Sequence, residues 1–428
     1  MKVVAAGAVG ALVLAAVAIA DPGSKNLRRL DFLVAAKRHS ELALVYRENS
    51  ASLVRVDPGT LRPRGRGLGL GRCSSAAAFA PDRTRLALGG AHGMICLVGT
   101  RTLRLRRVID TGADGDVLDL QWTGSRILAL VLGEDALTLV AVDAGLTQVL
   151  ARQRIEGSLE QAAETDSGLL LLLGPPRAIG PSRLVRFATE GTLLQVARLD
   201  RIPAGFELLN GEEGPARQAR PALAVDRSGN RAYIVGGGTP VAEIDLTTSS
   251  VTYHDVSAPA SLLERVHGWL EPAAEAKVPP DGPNREAAWL GNGMLALWGW
   301  NDHASVEGDH FNFWMEPAGL TVVDTRDWSS RVLDRSATSM TIANGNLLAS
   351  SWLSSSTSDR LSGSGVTAYG SDGNPRFHLF GSRAILSVQS LGGRAFIRGT
   401  RSAYSAVDLA SGRILRTFAG EPPALLLP

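Results

Sequence analysis

Along this 428-residue chain, short stretches that alternate apolar with other residues recur, each ending in Asp or a small residue before a turn. The first copies are Leu53-Val54-Arg55-Val56-Asp57, Ile95-Cys96-Leu97-Val98-Gly99, Leu139-Val140-Ala141-Val142-Asp143 and Leu184-Val185-Arg186-Phe187-Ala188. The later ones are Val241-Ala242-Glu243-Ile244-Asp245, Leu320-Thr321-Val322-Val323-Asp324, Val366-Thr367-Ala368-Tyr369-Gly370 and Tyr404-Ser405-Ala406-Val407-Asp408. Each predicts a strand with one side in a core and the other outward, followed by a tight turn. The anchors 57, 99, 143, 188, 245, 324, 370 and 408 lie 42, 44, 45, 57, 79, 46 and 38 apart. Five of these seven intervals have the length of a four-stranded propeller blade.

A second unit, strand, polar turn and strand, precedes several anchors. Clear copies are Ala78-Phe79-Ala80-Pro81-Asp82-Arg83-Thr84-Arg85-Leu86-Ala87-Leu88 and Ala224-Val225-Asp226-Arg227-Ser228-Gly229-Asn230-Arg231-Ala232-Tyr233-Ile234-Val235. Weaker ones begin at Leu120 and Trp289. Together the two units resemble those of YVTN-type and WD40-like β-propellers. No Trp-Asp dipeptide ends a blade and no Gly-His opens one, which separates the chain from classical WD40 repeats. The resemblance implies a blade and no particular activity. The expected fold is an all-β propeller of eight blades by repeat count, or seven if one weak unit lies outside the ring. A β-helix and paired sandwiches are the alternatives. Closure requires an innermost strand for the first blade, either from Ala424-Leu425-Leu426-Leu427 or from Phe32-Leu33-Val34-Ala35.

The repeat is interrupted at about 205–221, 257–286 and 301–317, and interruptions of a regular scaffold are where binding concentrates. The first reads as a polar loop. In the second, the capping-box pattern Ser261-x-x-Glu264 opens a short helix with Leu262, Val266, Trp269 and Leu270 on its apolar face. The third interruption is rich in aromatic and polar residues: Trp298, Trp300, Asn301, Asp302, His303, Asp309, His310 and Trp314. Aromatic faces beside Asn, Asp and His suit sugars, peptides or cations, so these eight are the candidate ligand-binding residues. A purely structural hairpin is the plainer reading. Imidazoles and carboxylates also ligate metals, but the spacing matches no metal motif, and neither metal nor cofactor is expected.

Charge narrows the function classes. The 44 basic and 42 acidic residues nearly cancel, which removes the footprint of a nucleic-acid binder. Lys2, the apolar run to Ala20 and the Ala18-Ile19-Ala20 end read as a signal peptide over 1–20, with an uncleaved anchor as the alternative. Residues 21–39 form a linker or first strand, and 40–428 one propeller. Nothing further reads as a membrane span. In an oxidising compartment Cys73 and Cys96, the two cysteines, are expected to pair, the alternative being buried thiols.

Asp110, Asp114, Asp116 and Asp119 lack calcium-loop register and read as turn residues. Arg62, Arg64, Arg66 and Arg72 read as a solvated outer strand and turn, the alternative being a surface for anionic polymer or envelope phosphate. Ser350 to Ser364 reads as a flexible hairpin loop in blade seven. No nucleophile elbow, zinc-protease or phosphate-loop motif is present. The expectation is a secreted or cell-envelope monomer, a non-enzymatic binding or scaffold module for an extracytoplasmic protein, peptide or glycan. An exported carbohydrate-active hydrolase or lyase is the alternative, with Asp302, Glu307 and Asp309 as its clustered acids.

Overall fold

The computed structural model describes residues 41–47, 50–133, 136–208, 216–228, 230–237, 240–256, 282–307, 310–356 and 358–426. The predicted signal peptide, linker and 261–270 helix lie outside the described residues. No α-helix is present among the described residues, and no helix there is long and apolar enough to cross a membrane.

The described strands form eight sheets, each with a core of four antiparallel strands. They are numbered here as blades in chain order. Each predicted anchor ends, or directly follows, the third strand of one sheet, as Asp143 ends Leu137–Asp143 in blade 3 and Asp408 ends Ala403–Asp408 in blade 8. The anchor aspartates are turn caps. Asp245 accepts the backbone N–H groups of Thr247 at 2.8 Å and Thr248 at 2.9 Å, and Asp143 those of Gly145, Thr147 and Gln148. Such a side chain replaces the hydrogen bonds that the turning backbone loses, so Asp recurs at this position.

Eight apolar clusters, one between each pair of neighbouring blades, complete the ring. The packing corrects the one-sided burial that alternation implied. In Gly168–Gly174 of blade 4, Leu170 and Leu172 join the cluster shared with blade 5. Leu169, Leu171 and Leu173 join the cluster shared with blade 3. A middle strand of a radial sheet meets a neighbour on both faces, so its sequence becomes a continuous apolar run. Several outermost strands are largely exposed, such as Arg104–Asp110 in blade 2, while Ser329–Asp334 in blade 6 is half-buried.

Closure takes the C-terminal route. Ala424–Leu425 pairs antiparallel with Leu42–Arg47, placing the last strand innermost in the first blade. Gln389, on the innermost strand of blade 8, accepts the Leu425 N–H at 2.6 Å and donates to the Pro423 carbonyl at 3.2 Å. Across the same seam Tyr404 Oη donates to the Thr60 carbonyl at 2.7 Å. The Cys73–Cys96 bridge, with its Cα atoms 6.1 Å apart, ties the connection between blades 1 and 2 to a strand of blade 2.

The polar loop expected at 205–221 is instead partly a β-hairpin. The outermost strand of blade 4 continues to Leu208, and Gly205–Leu208 pairs with Ala216–Ala219. The serine-rich stretch forms a hairpin, as expected, with Leu353–Ser355 pairing with Ser358–Ser362. At its base Ser351 Oγ and Ser364 Oγ lie 2.8 Å apart. The Asp110 carboxylate caps its own turn through the Gly112 N–H at 2.7 Å, as a turn residue should, whereas Asp116 and Asp119, also expected in turns, lie within the strand Asp116–Thr123.

Two outcomes follow for stability. Gln389→Ala removes two hydrogen bonds of the closing strand and is expected to cost about 2 kcal/mol in urea unfolding. Reduction of Cys73–Cys96 is expected to cost about 3 kcal/mol by loop entropy, read in the same assay with and without reductant.

Candidate functional site

Antiparallel order puts the second-to-third-strand connections and the blade-to-blade connections at one end of the ring. The prolonged strand of blade 4 and the extra hairpins of blades 6 and 7 all leave the ring there. The opposite end carries the short turns capped by the anchor aspartates. One face of the ring is therefore elaborated and the other plain.

Blade 6 contributes the most. Its second strand, Met294–Glu307, runs past the ring and folds back as His310–Pro317, a hairpin in which Trp300 pairs with Pro317 and Glu307 with His310. The blade 7 hairpin adds to its edge through Trp314 and Ser355. Phe313 N–H donates to Ser356 Oγ at 2.7 Å, and Ser356 N–H to the Phe313 carbonyl at 2.7 Å.

Strand alternation divides the predicted site residues between the two sides of this hairpin. Trp298, Trp300 and Asp302 share one side. Trp298 is buried in the cluster with blade 7, and Trp300 lies 6.1 Å from Trp352 in a tilted arrangement. Asp302 accepts from buried Asn284 at 2.6 Å, and its carboxyl is pushed up by burial. These three seat the hairpin. Asn301, His303 and Trp314 share the other side with Glu316. His303 stacks on Trp314 at 5.1 Å with an 11° angle between the rings, and its Nε2 lies 3.2 Å from Glu316 Oε2. Trp314 keeps 38% of its surface exposed, which makes this side an aromatic and polar wall.

Asp309 lies outside the described residues, and His310 is placed only as a strand residue. Of the acids proposed for a hydrolase, Asp302 faces the side away from the wall, and neither Asp309 nor the Glu307 side chain is described. Among the described residues no group of three or more His, Cys, Asp or Glu is arranged to hold a metal.

Below the wall, between blades 5 and 6, opens a cavity of about 590 Å3 lined among others by Arg285, Arg201, Asp255, Leu297 and Trp298. Arg285 stands opposite Gly299 in the ladder, on the same side of the sheet as Leu297 and Asn301. Gly299 has φ +147°, and a Cβ there would lie 2.1 Å from the Asn284 carbonyl oxygen. Only glycine fits. Arg285 Nη1 donates to the carbonyls of Asn284 at 3.0 Å and Trp300 at 2.8 Å, and Nη2 to Asn301 Oδ1 at 2.8 Å. Burial lowers its pKa to about 10. Nothing local in the sequence marks this arginine out. Asn301 was recognised, but its partner becomes visible only once the strands are paired.

A second cavity, about 530 Å3, lies between blades 3 and 4 and is lined among others by Asp119, Glu160, Arg220 and Phe206. Burial raises Asp119 to about 6, against a Leu120 N–H bond that lowers it and the charge of Glu164 that raises it. Burial likewise raises Glu160, whose Oε1 has no hydrogen-bond partner among the described residues. On the outer rim, Arg64 pairs with Asp57 and Arg62 lies 5.7 Å over the Phe418 ring, as expected for a solvated strand.

No protein-family model and no curated protein matches the sequence. Among solved structures, the dihydro-heme d1 dehydrogenase NirN in complex with DHE is similar over 90% of this chain and 74% of its own, with 11% identity and a TM-score of 0.52. The computationally designed Ika8 protein covers 82% of this chain and 89% of its own at 14% identity, TM-score 0.48. BamB from Moraxella catarrhalis covers 91% of both chains at 11% identity, TM-score 0.38. At such identities the NirN likeness shows the β-propeller fold alone, and the two looser overlays carry no argument.

The raised carboxyl of Asp119 sets a pH dependence. Its folded pKa exceeds the ordinary 3.8, so the folded state holds this proton more tightly. The cost of ionising it grows as pH rises from about 4 to 6 and is complete above that. Asp119→Asn is therefore expected to stabilise the protein by about 2 kcal/mol at pH 7.5, and by little at pH 4. Denaturant midpoints at the two pH values check this. The turn-capping carboxyls of Asp245 and Asp408 act oppositely. Their hydrogen bonds, from Thr248 N–H and the Ser411 hydroxyl first, hold their pKa below the ordinary range. Their stabilisation is present above about pH 4 and is lost as pH falls through their folded values.

Proposed function

We propose that this propeller is an exported, non-enzymatic binding module, of the YVTN-type and WD40-like kind, whose extracytoplasmic ligand engages the elaborated face. One observation carries the reading: the His303–Trp314 wall and Arg285 of the cavity lie on the same side of one sheet. A partly exposed indole stacked on an imidazole offers a flat apolar face, and Glu316 and Asn301 place hydrogen-bonding groups beside it. That combination suits a glycan ring or a peptide side chain. Export is supported by the pattern of the first twenty residues and is compatible with the disulfide.

A screen of peptidoglycan fragments, neutral glycans and short peptides by calorimetry tests the reading. A ligand that binds the protein is expected to lose about tenfold or more in affinity on Trp314→Ala. Unchanged affinity for every binding ligand would remove the wall from the account.

A hydrolase or lyase remains a second reading on a different observation, the two raised carboxyls, Asp119 and Glu160, that line the cavity between blades 3 and 4. A carboxyl whose pKa burial raises above its ordinary value is what a general acid requires. Glycan turnover that survives Asp119→Asn and Glu160→Gln would sink it.

A further inference from the structure

We infer that the cavity between blades 5 and 6 receives an oxyanion, the carboxylate or phosphate end of a small ligand, gripped by Arg285 with Arg201 beside it. The inference rests on the binding-module reading only in making that ligand the one whose body meets the wall.

Arg285 is a partly buried cation with no anion paired to it among the described residues. A guanidinium has five N–H donors. Three hydrogen bonds are made, all to neutral oxygens: the Asn284 and Trp300 carbonyls and Asn301 Oδ1. The remaining donors have no acceptor among the described residues, and no carboxylate there pairs with Arg285. Asp255 is the one acid lining the cavity, yet it makes no ion pair with this arginine. Partly withdrawing a cation from water without a counter-charge still carries a cost. Burial is the one cause that moves the Arg285 pKa, and it moves it down. A fold keeps such a residue without loss when a ligand supplies the anion, and a planar fork suits carboxylate or phosphate oxygens.

The three hydrogen bonds also fix the guanidinium before any ligand arrives, so little side-chain freedom remains to be lost on binding. Arg201 lines the same cavity, its guanidinium held 4.9 Å over the Tyr253 ring. Val235, Pro240, Val256 and Leu297 supply apolar surface for the ligand's body. The volume, about 590 Å3, suits a small organic anion.

Thermal melts of the full chain test the proposal with millimolar sodium hexanoate and sodium phosphate, each against sodium chloride at equal ionic strength. At least one anion is expected to raise the melting temperature by about 2 °C or more. A larger rise with hexanoate assigns the carboxylate of an apolar acid, and a larger rise with phosphate assigns a phosphate group. Arg285→Gln is expected to abolish the rise, whereas Trp314→Ala keeps it, because these probes are too short to use the wall. If Arg285→Gln does not fold, Arg201→Gln decides: a diminished rise supports the site and an undiminished one overturns it. No rise with either anion in the unaltered protein, or an equal rise in Arg285→Gln, also overturns it. Failure of the Trp314 test with an intact Arg285 response would refute the wall and leave the oxyanion site standing.

Discussion

Burial of both faces of each middle strand between neighbouring blades is the constraint on which the molecule depends. A single four-stranded blade has two apolar faces and no partner of its own, so it gains stability only from the next blade around. That makes the ring self-consistent only when it closes. The first and last blades would otherwise each leave an apolar face to solvent, at about 25 cal/mol per Å2 exposed. Closure here joins opposite ends of the chain. The cluster between blades 8 and 1 combines Ala43, Val54 and Val56 with Phe396, Tyr404 and Phe418, and Leu425 belongs to it.

A ring of this kind separates structural from functional sequence. The turns of the plain face are short, and five of the eight anchors cap them with an aspartate side chain. Insertions collect at the other end, where they lengthen a strand or add a hairpin without disturbing inter-blade packing. The blade 6 hairpin shows how such an addition is made rigid. Trp300 against Trp352 and Asp302 on Asn284 anchor one side, and the opposite side is left to present His303 and Trp314.

Much of this was legible in the sequence, for physical reasons. The anchor aspartates stood out because each caps a turn through its own side chain, a local interaction that leaves a local mark. The need for a closing strand was legible, because a ring requires one. Two apolar segments, Ala424-Leu425-Leu426-Leu427 and Phe32-Leu33-Val34-Ala35, could have supplied it, and only the pairing with Leu42–Arg47 decides. The candidate site was legible as a region but not as a surface. Trp298, Trp300 and Asp302 were grouped with Asn301, His303 and Trp314 because they are near in sequence, although alternation sends them to opposite sides. Arg285 and Trp352 were missed, since the importance of each comes from a partner on another strand. Glu160 was missed for a related reason: a buried carboxylate oxygen without a partner is a property of the packed ring.

Amide hydrogen exchange under native conditions tests the central claim, that closure makes the eight blades one cooperative ring. The amides of Leu42–Leu44, beside the closing strand, are expected to open with the same free energy as those of Leu169–Leu173 in the middle of blade 4. Exchange of Leu42–Leu44 orders of magnitude faster than Leu169–Leu173 would show that the ring opens at its seam, contradicting the account.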